Sequence, residues 1–252
     1  MGRVEQYRAT LRSLGDWLPC LRSESHLPGP RGNLELAEAV ALEGDERLYR
    51  TLLTFRADVA PVNTPDEFLF FCGVLGLGVL LAAGNAATLP ELRRHANDPR
   101  WRTREAVAMA LQRYGRADWT ALYAEMRLWA GGSLLERRAA VAALCEPDLL
   151  ADAHRGRAVL QLLDRVTRSL LAEPERRSEA FGALRRGLGY CWSVAMVASP
   201  EDGKAAFEAL CPCEDRDVRW VLRENLKKNR LLELDAAWVA ELSGRLGKAR
   251  GQ

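Results

Sequence analysis

The sequence predicts an all-α fold built from repeated pairs of helices, and three observations lead to this class. A nine-residue apolar pattern with a fixed arginine and a fixed leucine occurs four times between residues 103 and 226. The segments between these windows place their apolar residues at helical spacing, without the alternation that marks a β-strand. Turn-forming residues separate the segments at 97–99, 131–133, 173–174 and 199–200.

The four windows share arginine at the second position and leucine at the ninth. They are TREAVAMAL (103–111), ERRAAVAAL (136–144), RRSEAFGAL (176–184) and VRWVLRENL (218–226). The shared arginines are Arg104, Arg137, Arg177 and Arg219, and the eighth position holds alanine in three windows and Asn225 in the fourth. The starts are 33, 40 and 42 residues apart. This spacing suits a repeat of two antiparallel helices.

The remaining helices follow from periodicity and capping signals. In the less regular N-terminal part we expect helices at 3–14, 33–43, 45–57 and 64–83, with Asn33 as the cap of the second and Thr64 at the start of the fourth. Between and after the windows we expect helices at 121–130, 158–172, 200–210 and 236–246. Residues 1–87 would form an irregular helical cap, and residues 88–252 would form the repeats, as one continuous structural domain.

One segment is apolar enough to suggest a membrane span. Residues 68–84 read FLFFCGVLGLGVLLAAG, which is shorter than the roughly 20 residues of a spanning helix and contains four glycines. We therefore expect a buried core helix and no membrane partner.

Composition indicates a folded, soluble chain, since 48% of the residues are apolar and 28% are charged. The net charge of +2 does not demand a nucleic-acid or membrane partner. The N-terminus does not resemble a secretory signal peptide, and most of the six cysteines lie in apolar helical patterns. We expect reduced thiols in a cytoplasmic protein.

The sequence contains no convincing catalytic or metal-binding motif. Cys211-Pro212-Cys213 is a CxC and lacks the paired spacing of zinc modules, and the three histidines are dispersed. The sequence contains no nucleophile elbow, phosphate-binding loop or dinucleotide fingerprint. No metal or cofactor is expected, and no residue is assigned a catalytic role.

The most informative stretch for binding is 215–230. On a continuous helix, its cations would form a line along one flank, with Trp220 at the edge. These cations are Arg216, Arg219, Arg223, Lys227 and Arg230. The line could follow a phosphate backbone, and the indole could stack on a base. The alternative is a solvated helix face whose arginines pair with Asp217, Glu224 and neighbouring repeats.

Trp192, after Gly187-Leu188-Gly189, has two interpretations. It could line a concave face beside Trp220, or it could pack between repeats.

Register, spacing and turn placement over residues 88–246 resemble HEAT-type helical repeats. The resemblance implies a right-handed α-α superhelix, or solenoid. In such repeats the arginine near the start of the second helix commonly pairs with an acidic turn residue of its own or a neighbouring repeat. Glu173 and Asp215 lie three residues before their windows and Asp98 lies five before the first, whereas Ser133 occupies this place in the second. The resemblance therefore implies an incomplete ladder of ion pairs.

Two tracts, Trp-Val-Leu-Arg-Glu at 220–224 and Asn-Asp-Pro-Arg-Trp-Arg-Thr-Arg-Glu-Ala at 97–106, look like pieces of the bacterial DNA alkylation-repair glycosylases. That HEAT-like family binds DNA on a concave basic face and releases alkylated purines, using tryptophans, an aspartate and an arginine. Trp220 matches a tryptophan of the family, and Arg104 matches the arginine in local sequence, whereas Arg177 matches it better in spacing. The family's Trp-Trp-Asp tract is absent.

The sequence thus favours a non-catalytic binding or scaffold protein with a concave, arginine-rimmed face. A protein or peptide segment is the first partner class, and duplex DNA is the second. The alternative is an alkylation-repair-like glycosylase.

Overall fold

The chain is all-helical, as the sequence predicts. The computed structural model describes residues 2–248, of which the side chain of residue 248 is left aside. It is 74% helix and contains fourteen α-helices and no strand over the residues described. The chain divides into two compact units, Met1–Asp118 and Trp119–Gln252. The division expected between residues 87 and 88 falls within a 3-10 turn of the first unit and stays a prediction.

The first unit contains seven α-helices and one 3-10 turn. They are α1 (Arg3–Ser13), α2 (Leu18–Ser23), α3 (Leu34–Glu43), α4 (Glu46–Leu52), α5 (Pro65–Ala82), the turn Ala86–Thr88, α6 (Leu89–His95) and α7 (Trp101–Ala117). Both predicted caps are confirmed, because Asn33 accepts a hydrogen bond from the amide of Leu36 and Thr64 accepts one from the amide of Glu67. Helix α4 ends five residues before the predicted end at 57, in a series of turns.

Helix α5 is the core of the first unit. It packs against α7 and also contacts α2, α3, α4 and α6. Its length and composition would suit a membrane span, yet 72% of it is buried. Two of its glycines permit close contacts, since a Cβ on Gly76 would lie 2.1 Å from the ring of Tyr49 and one on Gly78 would lie 2.5 Å from the Cα of Ala110. Small residues therefore set the approach of α4 and α7 to this helix.

The second unit contains the other seven α-helices and two 3-10 turns. They are α8 (Trp119–Trp129), α9 (Leu134–Leu144), the turn Pro147–Leu149, α10 (Ala153–Ser169), the turn Leu170–Ala172, α11 (Glu179–Ala198), α12 (Pro200–Glu208), α13 (Arg216–Leu226) and α14 (Asn229–Lys248). Helix α14 is interrupted at Asp235, whose backbone is extended and whose carboxylate accepts from the amide of Trp238. The helix predicted at 236–246 is its second part. Residues 249–252, the end of the predicted repeats, lie outside the described residues.

Helix α11 lies between α9 and α13. Gly187 faces Val141 of α9, whereas Gly189 faces Trp220 of α13. The amide of Ser193 donates a hydrogen bond to the side-chain oxygen of Asn225, also on α13. Residues two apart on an α-helix point about 200° away from each other. The two partners therefore contact opposite sides of α11.

A third side of α11 packs against α10 and α12. There Trp192 donates to the hydroxyl of Thr167 on α10 at 3.0 Å, and its ring meets Phe207 of α12 edge-on at 5.8 Å between centroids. The fourth side remains open to solvent and carries Tyr190 and Val197, each nearly half exposed.

The six cysteines are free thiols in two groups. Cys72 lies on α5 in the first unit, and Cys145 and Cys191 lie in the second; all three are buried. Burial raises the pKa of the Cys72 thiol. It also raises that of Cys145, with a further contribution from the neighbouring Cys191. The thiols of Cys72 and Cys145 are therefore held in their protonated form at neutral pH.

We predict that Gly78→Ala destabilises the first unit by roughly 1–3 kcal/mol, because the added methyl would overlap the backbone of Ala110 on α7. The matched control is Gly244→Ala on α14, where a Cβ meets nothing within 4 Å. That change should stabilise by about 0.5–1 kcal/mol, since alanine loses less backbone freedom than glycine on folding. Urea unfolding followed by circular dichroism measures both, and equal effects would refute the close-packing argument.

Candidate functional site

The repeated arginines of the first two windows fold back onto the turns before their own helices. Arg104 and Arg137 are each the fourth residue of their helix, α7 and α9. Arg104 donates to the carbonyls of Asp98 and Pro99, and Arg137 donates to the carbonyl of Gly132 at 2.9 Å. Turn carbonyls have no helical donor, so a guanidinium that reaches back satisfies them. This contact supplies a structural reason for the recurrence of arginine.

The third window is out of phase with the others. Arg219 is again the fourth residue of its helix, α13, and donates to the carbonyl of Leu246 on α14 at 3.0 Å. Arg177, in contrast, lies before Ser178, the residue that caps α11. Arg177 is therefore not equivalent to the other three arginines, and the predicted alignment of the third window with the others is wrong.

Two rungs of the expected ladder of ion pairs are present in the second unit. Arg137 lies 3.8 Å from the carboxylate of Glu173, and Arg176 lies 2.5 Å from that of Asp215. The third window thus contributes Arg176 to the ladder, one residue before Arg177. Burial alone would raise the pKa of Asp215, but hydrogen bonds from Arg176 and from two backbone amides of α13 outweigh it and lower that pKa.

A cluster of charges surrounds Asp217, which has 2% of its side chain exposed. Its carboxylate receives Arg185 at 2.5 Å, and Arg176 and Arg216 at 3.4 Å each. The guanidinium of Arg185 also lies over the ring of Trp220, 4.5 Å from its centroid. We call these five residues the Asp217 cluster. It links the start of α13 to α11 and to the turn before α11.

The Asp217 cluster limits access to the indole of Trp220. The indole is half-buried, and Arg185 covers one of its faces. The carboxylate three residues before it is buried and paired with three arginines. A glycosylase would need an accessible indole and a carboxylate directed at the sugar of a bound nucleotide. At Trp220, Arg185 covers one face of the indole, and the carboxylate of Asp217 is directed at the arginines of the cluster.

The line of cations predicted over 216–230 is not formed, because α13 ends at Leu226 and the chain turns before α14 begins. Lys227 caps the helix end and pairs with Glu224, while remaining 66% exposed. Arg230 belongs to α14 and donates to the hydroxyl of Tyr190 on α11 at 2.7 Å. With Arg219 directed at α14 and Arg223 half-buried in the last turn of α13, the cations point in several directions.

Trp192 lies in the core. It has no exposed surface, donates to Thr167 and contacts Phe207. Of the two interpretations left open by the sequence, packing between helices is the one the structure shows, and Trp192 does not border a ligand surface.

Arg177 and Arg216 come together at a polar recess of about 560 Å³ at the start of α11. We call it the Arg177 recess. Both side chains are exposed. The same recess is lined by Arg176, Glu173 and Glu175, so acidic groups offset part of its positive charge.

A second, more apolar recess of about 490 Å³ lies on the open side of α11, and we call it the α11 groove. Its lining residues are mostly apolar: Pro147, Leu150, Ala151, Asp152, Val194, Val197, Ala198 and Arg230. Tyr190, Val194 and Val197 are four and three residues apart, so they form one stripe along the helix.

The edge of the α11 groove is cationic. The guanidinium of Arg230 lies 4.7 Å from the ring centroid of Tyr190, and the ammonium of Lys228 lies 5.9 Å from it. The groove itself is lined by one cation, Arg230, and by Asp152, and Tyr190 with Lys228 lies beside Arg230.

The sequence did not indicate that Arg176 and Arg185 pair with Asp217, or that Tyr190 contacts Arg230. Asn225 was visible in the sequence as the exception to alanine at the eighth position, but its hydrogen-bond partners were not. Asn225 is fully buried, donates to the carbonyl of Leu188 and accepts from the amide of Ser193, so it clamps α13 to α11.

Comparisons of the chain with protein-family models, with curated proteins and with solved structures find no match. Within residues 2–248, no group of three or more His, Cys, Asp or Glu side chains is placed to hold a metal ion.

We predict that Asp217→Asn lowers the free energy of unfolding by roughly 2–3 kcal/mol, because it removes the buried partner of Arg185 and Arg176. The control is Asp164→Asn, which breaks an exposed i,i+4 pair with Arg168 and should cost less than about 0.5 kcal/mol. Urea denaturation measures both variants. Similar small losses would show that the Asp217 cluster contributes little to stability.

We predict that Asp215→Asn weakens the acid sensitivity of the protein. Because folding lowers the pKa of Asp215, the unfolded chain binds more protons below about pH 4, and this contribution to stability is lost as the pH falls. Asparagine keeps the helix cap and removes the titration. Urea midpoints measured from about pH 5 to pH 3 should therefore fall less steeply in the variant. Parallel curves would contradict the assignment.

Proposed function

We propose that the protein is a non-catalytic helical-repeat binding protein whose second unit receives a protein or peptide segment in the α11 groove. The proposal includes a right-handed superhelix of HEAT-like repeats. The side-by-side order of α9, α11 and α13 within the second unit supports that arrangement.

The observation that carries the proposal is a contrast between two kinds of side chain: most of the arginines are bound within the fold, whereas apolar side chains on α11 are exposed. Arg104, Arg137 and Arg219 are engaged with backbone carbonyls, and Arg176 and Arg185 with buried carboxylate. They therefore serve the fold. In contrast, Val197 in the α11 groove is 47% exposed, and Tyr190, which contacts Arg230 at the edge of the groove, is 45% exposed. Apolar side chains rimmed by polar groups are typical of surfaces that bind proteins.

The cationic edge of the groove defines the segment further. Arg230 and Lys228 both lie beside Tyr190, so a segment with an acidic residue next to apolar anchors would complement it. An extended or helical segment could place one anchor against Val194 and Val197 and its carboxylate near Arg230.

Duplex DNA is the second partner class, supported by the exposure of Arg177 and Arg216 at the Arg177 recess. Glu173 and Glu175 in the same recess weaken that case, since they repel phosphate. The alkylation-repair alternative receives less support still, because Arg185 covers Trp220 and Asp217 is buried.

The proposal is tested by peptide selection against the full chain. We predict that a library of random peptides enriches for sequences with an acidic residue beside apolar residues. Binding measured by fluorescence polarisation should weaken at least about tenfold in Val197→Arg, because the new charge would be desolvated by apolar anchors. The matched control is Leu128→Arg on α8, at a leucine that is 62% exposed, and it should bind as the unchanged protein does.

Enriched peptides that bind equally well to Val197→Arg would place the site elsewhere. Salt-dependent binding of duplex DNA that is lost in Arg177→Ala and Arg216→Ala, with no peptide binding, would replace the proposal by a nucleic-acid function.

A further inference from the structure

The first part of α14 borders the α11 groove and displays a carboxylate that the fold does not use. We call residues 229–234, which precede the break at Asp235, the α14 rim. Arg230 of this rim lines the groove, and Glu233 lies one helical turn further along. Glu233 is exposed and makes no ion pair or side-chain hydrogen bond within residues 2–248. Its charge is therefore available to a partner.

The α14 rim itself carries the kind of sequence that would complement the groove. Glu233 is followed by Leu234, which is half-buried, so an acidic group stands beside an apolar one. The groove offers the matching pair, the cation of Arg230 and the exposed side chain of Val197. A second copy of the chain could thus supply the segment that the groove binds.

The charges of the rim and the groove also have the arrangement that a twofold interface requires. In such an interface each contact occurs twice, with the two copies exchanging roles. Arg230 and Glu233 have opposite charges and lie one turn apart on the same helix, so two copies can pair them reciprocally. Since a helix is convex, the rim of each copy can enter the recess of the other.

The remaining charged groups beside the groove leave this attraction in place. Lys228 lies beside the same tyrosine ring as Arg230 and adds to the positive charge. Asp152 lines the groove, but its carboxylate is 3.7 Å from the guanidinium of Arg155, so these two charges offset each other. The groove is therefore positive where Arg230 lies, and Glu233 is the carboxylate that the rim offers to it.

We propose that the α11 groove binds the α14 rim of a second copy of this chain, in a twofold dimer in which Arg230 of each copy pairs with Glu233 of the other. The inference rests on the proposed function, because it names the occupant of the same groove. Val197 and Leu234 would pack against each other beside the ion pairs. Because the exposed apolar surface is small, we expect a weak, reversible dimer with a Kd of roughly 10–100 µM.

The test is a pair of charge-reversed variants, measured alone and mixed. Sedimentation of the full chain between about 5 and 500 µM should show a reversible monomer–dimer equilibrium. Arg230→Glu and Glu233→Arg each place like charges together twice across the twofold axis, so each variant alone should dimerise at least about tenfold more weakly. In an equal mixture, opposite charges meet at both positions. The mixed dimer should recover the affinity of the unchanged protein to within roughly threefold.

Matched controls separate this contact from a general effect of charge. Glu241→Arg reverses a carboxylate that is 69% exposed in the second part of α14, and it should leave dimerisation unchanged. Val197→Arg should weaken the dimer, whereas Leu128→Arg, at a leucine that is 62% exposed on α8, should not. Circular dichroism checks that each variant is folded. If either reversal at Arg230 or Glu233 unfolds the chain, the comparison of Val197→Arg with Leu128→Arg decides the proposal.

The inference and the proposed function fail in different ways. A chain that stays monomeric over the whole range, or a mixture that does not recover affinity, would overturn the dimer. Equal weakening by Glu241→Arg would also overturn it. Peptide selection decides the proposed function separately, because a peptide in the groove needs no second copy. Where both hold, an excess of a selected peptide should dissociate the dimer, and a dimer that persists with bound peptide would place its interface elsewhere.

Discussion

The second unit depends on the close contact of α11 with α13. A Cβ on Gly189 would lie 2.9 Å from the ring of Trp220, so glycine is what allows the two helices this separation. At that distance the buried amide of Asn225 reaches both Leu188 and Ser193 on α11. Leaving the buried amide of Asn225 unpaired would cost free energy. Its hydrogen bonds therefore require the short helix separation that Gly189 allows. The placement of Arg185 over Trp220, and the open side of α11, follow from this contact.

Much of the helical organisation could be predicted because its signals are local. Helix caps act within a few residues, as Asn33 and Thr64 do, and apolar periodicity is a property of one segment. The third window was misaligned because letter matching does not distinguish residues before a cap from residues after it. Ser178 was the signal that could have corrected it, since it accepts from the amide of Phe181 and so marks the start of α11.

The candidate site was predictable only in part. The arginines were visible in the sequence, but their partners are set by tertiary contacts between residues 32 to 41 apart, such as Arg185 with Asp217 and Arg176 with the same carboxylate. The line of cations over 216–230 failed for a related reason: neither glycine nor proline marks the end of α13. The contact of Tyr190 with Arg230 could not be predicted either, because only the turn before α14 brings the two residues together.

Each of the two units contains at least one buried cysteine, so local unfolding of each unit can be followed separately. A thiol reacts with an alkylating reagent as the thiolate, so burial that shields the sulfur and raises its pKa also slows the chemistry. Cys72 belongs to the first unit, and Cys145 and Cys191 to the second. Modification of each sulfur thus requires its own unit to expose it. The rate at which each buried cysteine is alkylated therefore reports how often its own unit unfolds locally.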